Sequence, residues 1–123
     1  MHLTIPATFS LACVGVTLVF AGLSAGIGWY GGWRELRWFA LVCLSAAAFN
    51  ACGAVTTLAV SEELLRLASR TSTSLAGLHC MAWVWFVAAD EKRALRLLDR
   101  IAVAACLLVS VLAAVPGVVI SSD

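Results

Sequence analysis

The stretch LTIPATFSLACVGVTLVFAGLSAGIGWYGGW, Leu3 to Trp33, carries no charged residue and is closed by Arg34, Glu35 and Arg37. A helix rises about 1.5 Å per residue, so about 20 residues cross a hydrocarbon core of about 30 Å. This run is long enough to do so. Working outward, three more uncharged runs follow: Trp38 to Ser61, Thr71 to Ala89 and Ile101 to Ser122. The charges between them form three clusters, and only Asp123 stands apart.

Composition agrees. The chain has 123 residues, 63% hydrophobic and 12% charged, with a formal net charge of +1. Soluble domains are about half apolar and about a quarter charged. The balance excludes an ordinary soluble enzyme, a disordered tail and a nucleic-acid-binding module. Backbone groups in lipid must be satisfied internally, and no run alternates apolar with polar residues. The expectation is an all-α integral membrane bundle of four transmembrane helices, at about residues 5–31, 37–60, 66–89 and 97–120. The chain reads as a single transmembrane domain, 1–123, and as the N-terminal part of a larger membrane module.

Orientation follows from Lys and Arg. The first and third loops together carry six basic residues (Arg34, Arg37, Lys92, Arg93, Arg96, Arg100), and the second carries two, Arg66 and Arg70. The first and third loops are therefore expected in the cytoplasm, with both termini outside, in a multi-pass protein of the cell inner membrane. Trp29, Tyr30, Trp33, Trp38, Phe39, Trp83, Trp85 and Phe86 gather at that same end. An interfacial anchor belt is favoured over an aromatic ligand cage. The N-terminus lacks the basic start of a signal peptide, and its apolar run is too long for one.

Local signals refine the loops. Ser61 is placed to cap a helix, and Glu62 with Arg66 has i,i+4 spacing, so this turn should run into span three. Asp90 is expected to cap a similar segment, with Arg93, Arg96 and Arg100 as one stripe reaching lipid phosphates. Pro116 should kink or end span four between Leu112 and Pro116, helped by Gly117.

Small residues permit close helix contact in lipid. Gly15, Gly22 and Gly26 share a face of span one, and Gly53 lies on the face of span two that includes Asn50. These are the expected packing positions. Contact within the chain is favoured over a homodimer.

The candidate ligand-binding or polar-core residues are Asn50, His79, Trp83 and Ser110. Polar groups deep in a span are costly and usually face protein or a cavity. Polar glue, with the Asn50 amide bonded to His79 or Ser110, is the favoured reading; a pocket for a small apolar or weakly polar ligand is the alternative. Thr17 is expected to bond back to the Cys13 carbonyl. A haem or metal at His79 finds no second His at matching depth. The five cysteines, all inside spans, read as small apolar filler. No catalytic motif, metal site or cofactor is expected, and no intramembrane charge points to a proton pump or charge-coupled transporter.

The stretches GWYGGWRELRWFAL (Gly28 to Leu41), AVSEELLRLASR (Ala59 to Arg70) and AWVWFVAADEKRALRLLDR (Ala82 to Arg100) resemble the seven-helix membrane module that precedes bacterial histidine kinase domains. The resemblance implies a non-catalytic sensory domain of a two-component system, partnered by the lipid bilayer, further transmembrane helices and a cytoplasmic signalling domain. Three more spans would be needed to reach a kinase inside the cell. No histidine phosphoacceptor or ATP-binding segment is among these residues. A small four-helix protein, such as a transporter subunit working as a dimer, is the alternative.

Overall fold

The computed structural model describes residues 5–58 and 61–115. Among these residues it holds four helices and no strand: α1 Ile5–Tyr30, α2 Arg34–Leu58, α3 Glu62–Asp90 and α4 Leu97–Ala114. All four are long and apolar enough to cross a membrane. The expected all-α, four-span membrane class is what the structure has, with the other boundaries shifted by a few residues and the expected end of span four, at 120, outside the described residues.

Each boundary has a local cause. α1 stops where Gly31 and Gly32 follow Tyr30, and Gly32 takes φ +72° to turn the chain toward Trp33. Ser61 sits in extended backbone (φ −136°) and accepts the Leu64 N–H at 3.3 Å, so α3 starts on a side-chain cap as expected. Glu62 and Arg66 pair at 3.8 Å on the first turn. α3 then runs 29 residues without a break from the polar connection into the span.

The α3–α4 connection departs from expectation. Asp90 is the last residue of α3 and caps nothing that follows. Lys92 takes φ 50°, its N–H bonds the Ala89 carbonyl, and the Arg93 N–H bonds the Ala88 carbonyl. This is a Schellman turn with lysine where glycine is usual. Arg93 is therefore not on a helix and shares no stripe with Arg96 and Arg100. Its guanidinium bonds Glu91 and Asp99, while Asp99 accepts the Arg96 N–H at 2.8 Å and so closes the start of α4.

α4 ends at Ala114, inside the expected window, and Val115 is extended (ψ 125°), as suits a residue before proline. Pro116 and Gly117 lie outside the described residues.

The helices stand in a row. Among the described residues α1 packs on α2, α2 on α3 and α3 on α4, and no other pair of helices comes into backbone proximity. The interfaces are lined by small side chains: Ala7 and Ala21 on α1, Ala40, Ala47 and Ala54 on α2, Ala68 and Ala88 on α3, Ala113 on α4. Large side chains point outward, Val19, Phe20 and Leu23 among them, and no large side chain is fully buried among the described residues. Water would not tolerate that arrangement, whereas lipid solvates those side chains and leaves close contact of small residues to hold the helices together.

Candidate functional site

α2 and α3 are antiparallel neighbours, so residues at equal distance from the Arg34 and Asp90 ends come level. Ser45 lies eleven residues from Arg34, and His79 eleven from Asp90. They meet: Ser45 Oγ is 2.9 Å from His79 Nδ1. One turn along α3, Trp83 donates its indole N–H to His79 Nε2 at 2.9 Å. The Ser45 hydroxyl also lies 2.9 Å from the Val42 carbonyl.

Proton bookkeeping fixes the tautomer. Nε2 accepts from Trp83, so it carries no hydrogen in this arrangement. Nδ1 then carries the proton and donates to Ser45 Oγ, whose own hydrogen goes to Val42 O. The result is a one-way chain, Trp83 to His79 to Ser45 to the α2 backbone, with every donor used. Both imidazole nitrogens are engaged, so a metal or haem iron would have to break one of these bonds to bind.

Aromatic rings extend the contact toward the basic end. Trp83 packs edge-on against Phe86 at 5.5 Å between centroids, Phe39 meets Phe86 at 5.3 Å, and Trp38 stacks on Trp85 at 5.1 Å and 16°. The expected belt therefore divides in two. Trp29, Tyr30 and Trp33 are 71%, 94% and 59% exposed and suit an interfacial anchor, whereas Trp38, Phe39, Trp85 and Phe86 join α2 to α3.

Asn50 does not join this network. Its side-chain amide donates to the Ala46 carbonyl of its own helix at 2.8 Å. The expected bond to His79 fails because Asn50 lies sixteen residues from Arg34 and His79 eleven from Asp90, so Asn50 stands more than a turn past His79. The expected bond to Ser110 fails because α2 and α4 do not pack on each other among the described residues. Thr17 bonds the Cys13 carbonyl at 2.7 Å, as expected.

Ser110 is the buried polar residue of α4, and its partner is Ser74, which sequence reasoning missed. Ser110 Oγ donates to the Ser74 carbonyl (3.0 Å) or the Cys106 carbonyl (2.8 Å), and Ser74 Oγ donates to the Ser110 carbonyl at 2.9 Å. Gly77 makes the approach possible. A Cβ there would sit 2.7 Å from the Cys106 carbonyl oxygen and collide with the Ser110 hydroxyl.

The glycine expectations are largely reversed. Gly15, Gly22 and Gly26 have nothing within 4 Å of where a Cβ would lie, so they pack closely on no helix among the described residues. Gly53 has Ser10 at ordinary contact distance, 3.8 Å. The tight positions between helices are Gly77 and Gly28, whose Cβ would lie 3.0 Å from the Arg37 backbone nitrogen; Gly31, in the α1–α2 turn, is tight against the Ile27 carbonyl at 2.7 Å. Arg37 donates to the Gly28 carbonyl at 2.9 Å and lies over the Trp29 ring at 5.4 Å.

At the basic end a cleft of about 1070 Å³ opens between the α1–α2 and α3–α4 connections, bordered by Arg34, Glu35, Trp38, Trp85, Lys92 and Arg100. Arg93 also borders it, but bonds to Asp99 first and Glu91 second raise its pKa above the usual arginine value and occupy its guanidinium. All five cysteines are free thiols.

The chain reads as a multi-pass membrane protein. No family model, curated protein or solved structure matches it.

Proposed function

We propose that the chain is a non-catalytic membrane sensory domain, the N-terminal part of a sensor histidine kinase-like receptor in the bacterial inner membrane, with its N-terminus outside. The observation that carries this is the position of α3. Both mid-span polar ties in the described residues, Ser45 to His79 and Ser74 to Ser110, are made by α3. Neither involves an ionised group, which suits a contact that exchanges between two helix arrangements at low cost. α3 leads directly into the Lys92 turn and the Arg93 bonds at the basic end, so a shift of this helix moves the segment that would face the cytoplasm. The positive-inside bias of Arg34, Arg37, Lys92, Arg93, Arg96 and Arg100 supports that orientation.

The test is the signalling output of the native full-length protein carrying Ser45→Ala or His79→Leu. An altered response to stimulus, with membrane insertion intact, supports the reading. Output identical to wild type across all stimuli counts against it.

The open glycine face of α1 favours a second reading, a small transporter subunit that works as a dimer through Gly15, Gly22 and Gly26. Solute flux in liposomes, abolished together with dimerisation by Gly22→Leu, would support that reading over the first.

A further inference from the structure

We propose that the cleft at the basic end is a headgroup site for one anionic phospholipid, with Arg34, Lys92 and Arg100 supplying the charge that receives the phosphate and the Trp38–Trp85 stack forming an apolar wall.

The cleft is built from two separate connections. Arg34 comes from the start of α2, and Lys92 and Arg100 come from the two sides of the α3–α4 connection. Among the described residues none of the three side chains forms an ion pair. The neighbouring carboxylates Glu91 and Asp99 are already taken by Arg93, which leaves Glu35 as the one carboxylate bordering the cleft against three uncommitted basic residues, Arg34, Lys92 and Arg100. The volume, about 1070 Å³, is just above the roughly 300–1,000 Å³ typical of small-molecule pockets. Position decides between a lipid and a soluble anion. The cleft lies at the ends of helices read as membrane spans, at the level of the headgroups. Indole rings border it, and such rings favour that zone. The inference rests on the membrane reading and holds whether or not the chain senses a signal.

The experiment places the purified protein in nanodiscs of phosphatidylcholine with a minor fraction of phosphatidylglycerol. Lipid retained after detergent extraction is then counted by native mass spectrometry. Wild type should retain phosphatidylglycerol above its bulk share, and each of Arg34→Gln, Lys92→Gln and Arg100→Gln should lower that enrichment about fivefold, the effect expected of one basic group near an anionic surface. The Arg34→Lys/Arg100→Lys variant keeps the charges and should keep the enrichment. This shows that loss in the glutamine variants is not misfolding. Arg66→Gln/Arg70→Gln, at the other end of the helices, should change nothing. Equal retention of both lipids by wild type overturns the proposal, as does equal loss from the Arg66/Arg70 variant. Full displacement of the lipid by millimolar inorganic phosphate would assign the cleft to a soluble anion instead and also overturn it.

Discussion

Ser74 and Ser110 exchange hydrogen bonds across the α3–α4 interface, each hydroxyl within 3.0 Å of the other residue's carbonyl oxygen. Interhelical hydrogen bonds in membranes average only about 0.6 kcal/mol. The pair does more to set register than to add stability, and the close approach it requires depends on Gly77.

Gly77→Ala should therefore destabilise the chain by about 1–3 kcal/mol, because the added methyl meets the Cys106 carbonyl and the Ser110 hydroxyl. Gly15→Ala should be neutral or raise stability by up to about 1 kcal/mol, since it adds helix propensity in open space. Unfolding in mixed micelles titrated with SDS measures both. Equal costs for the two substitutions would contradict the packing described above.

His79 should be held as the Nδ1-protonated tautomer. The ¹⁵N spectrum of labelled protein in lipid should show Nδ1 bonded to hydrogen and Nε2 bare. Trp83→Phe removes the donor to Nε2 and should make the tautomers more nearly equal, and Ser45→Ala should cost about 0.6–1.7 kcal/mol.

Lys92→Gly should stabilise the α3–α4 connection by up to about 1 kcal/mol, because φ 50° strains a residue with a Cβ and not a glycine. Lys92→Val should lower stability, since branching at Cβ worsens the same conformation. Thermal inactivation followed by size-exclusion chromatography would rank the three proteins.

Arg37→Lys should cost about 1 kcal/mol although it keeps the charge. A single lysine ammonium cannot make both the bond that Arg37 Nε gives the Gly28 carbonyl and the cation–π contact that its guanidinium makes over Trp29. Hydrogen exchange should speed up at the α1 C-terminus, near Gly28 to Tyr30, and not in α4.

Much of the fold was legible because lipid imposes simple rules. Charge-free runs marked the four spans, Ser61 announced the start of α3, and the window from Leu112 to Pro116 held the end of α4 at Ala114. The candidate site was only half legible. His79 and Trp83 were found by helical spacing, which is local. Ser45 was missed because its selection depends on the level of α2 against α3: the expected ends at 37 and 89 put residue 47 level with His79, and the ends at Arg34 and Asp90 put Ser45 there. Equal distances from the basic-end termini pair Ser45 with His79 only once those termini are fixed at Arg34 and Asp90. Gly15, Gly22 and Gly26 satisfied the spacing rule for close packing, but spacing does not say which partner a face meets. Gly77 had no repeat to announce it, and only the approach of Ser110 gives it meaning.

The single-file order of the helices bears on how the chain is made. Every helix interface among the described residues joins neighbours in sequence, so each new helix can dock on the one inserted before it as synthesis proceeds. No segment has to wait, exposed, for a distant one to emerge. Loss of α4 would leave the α1–α2 and α2–α3 contacts whole, and truncation from that end should yield a shorter protein that still inserts, rather than a collapsed one.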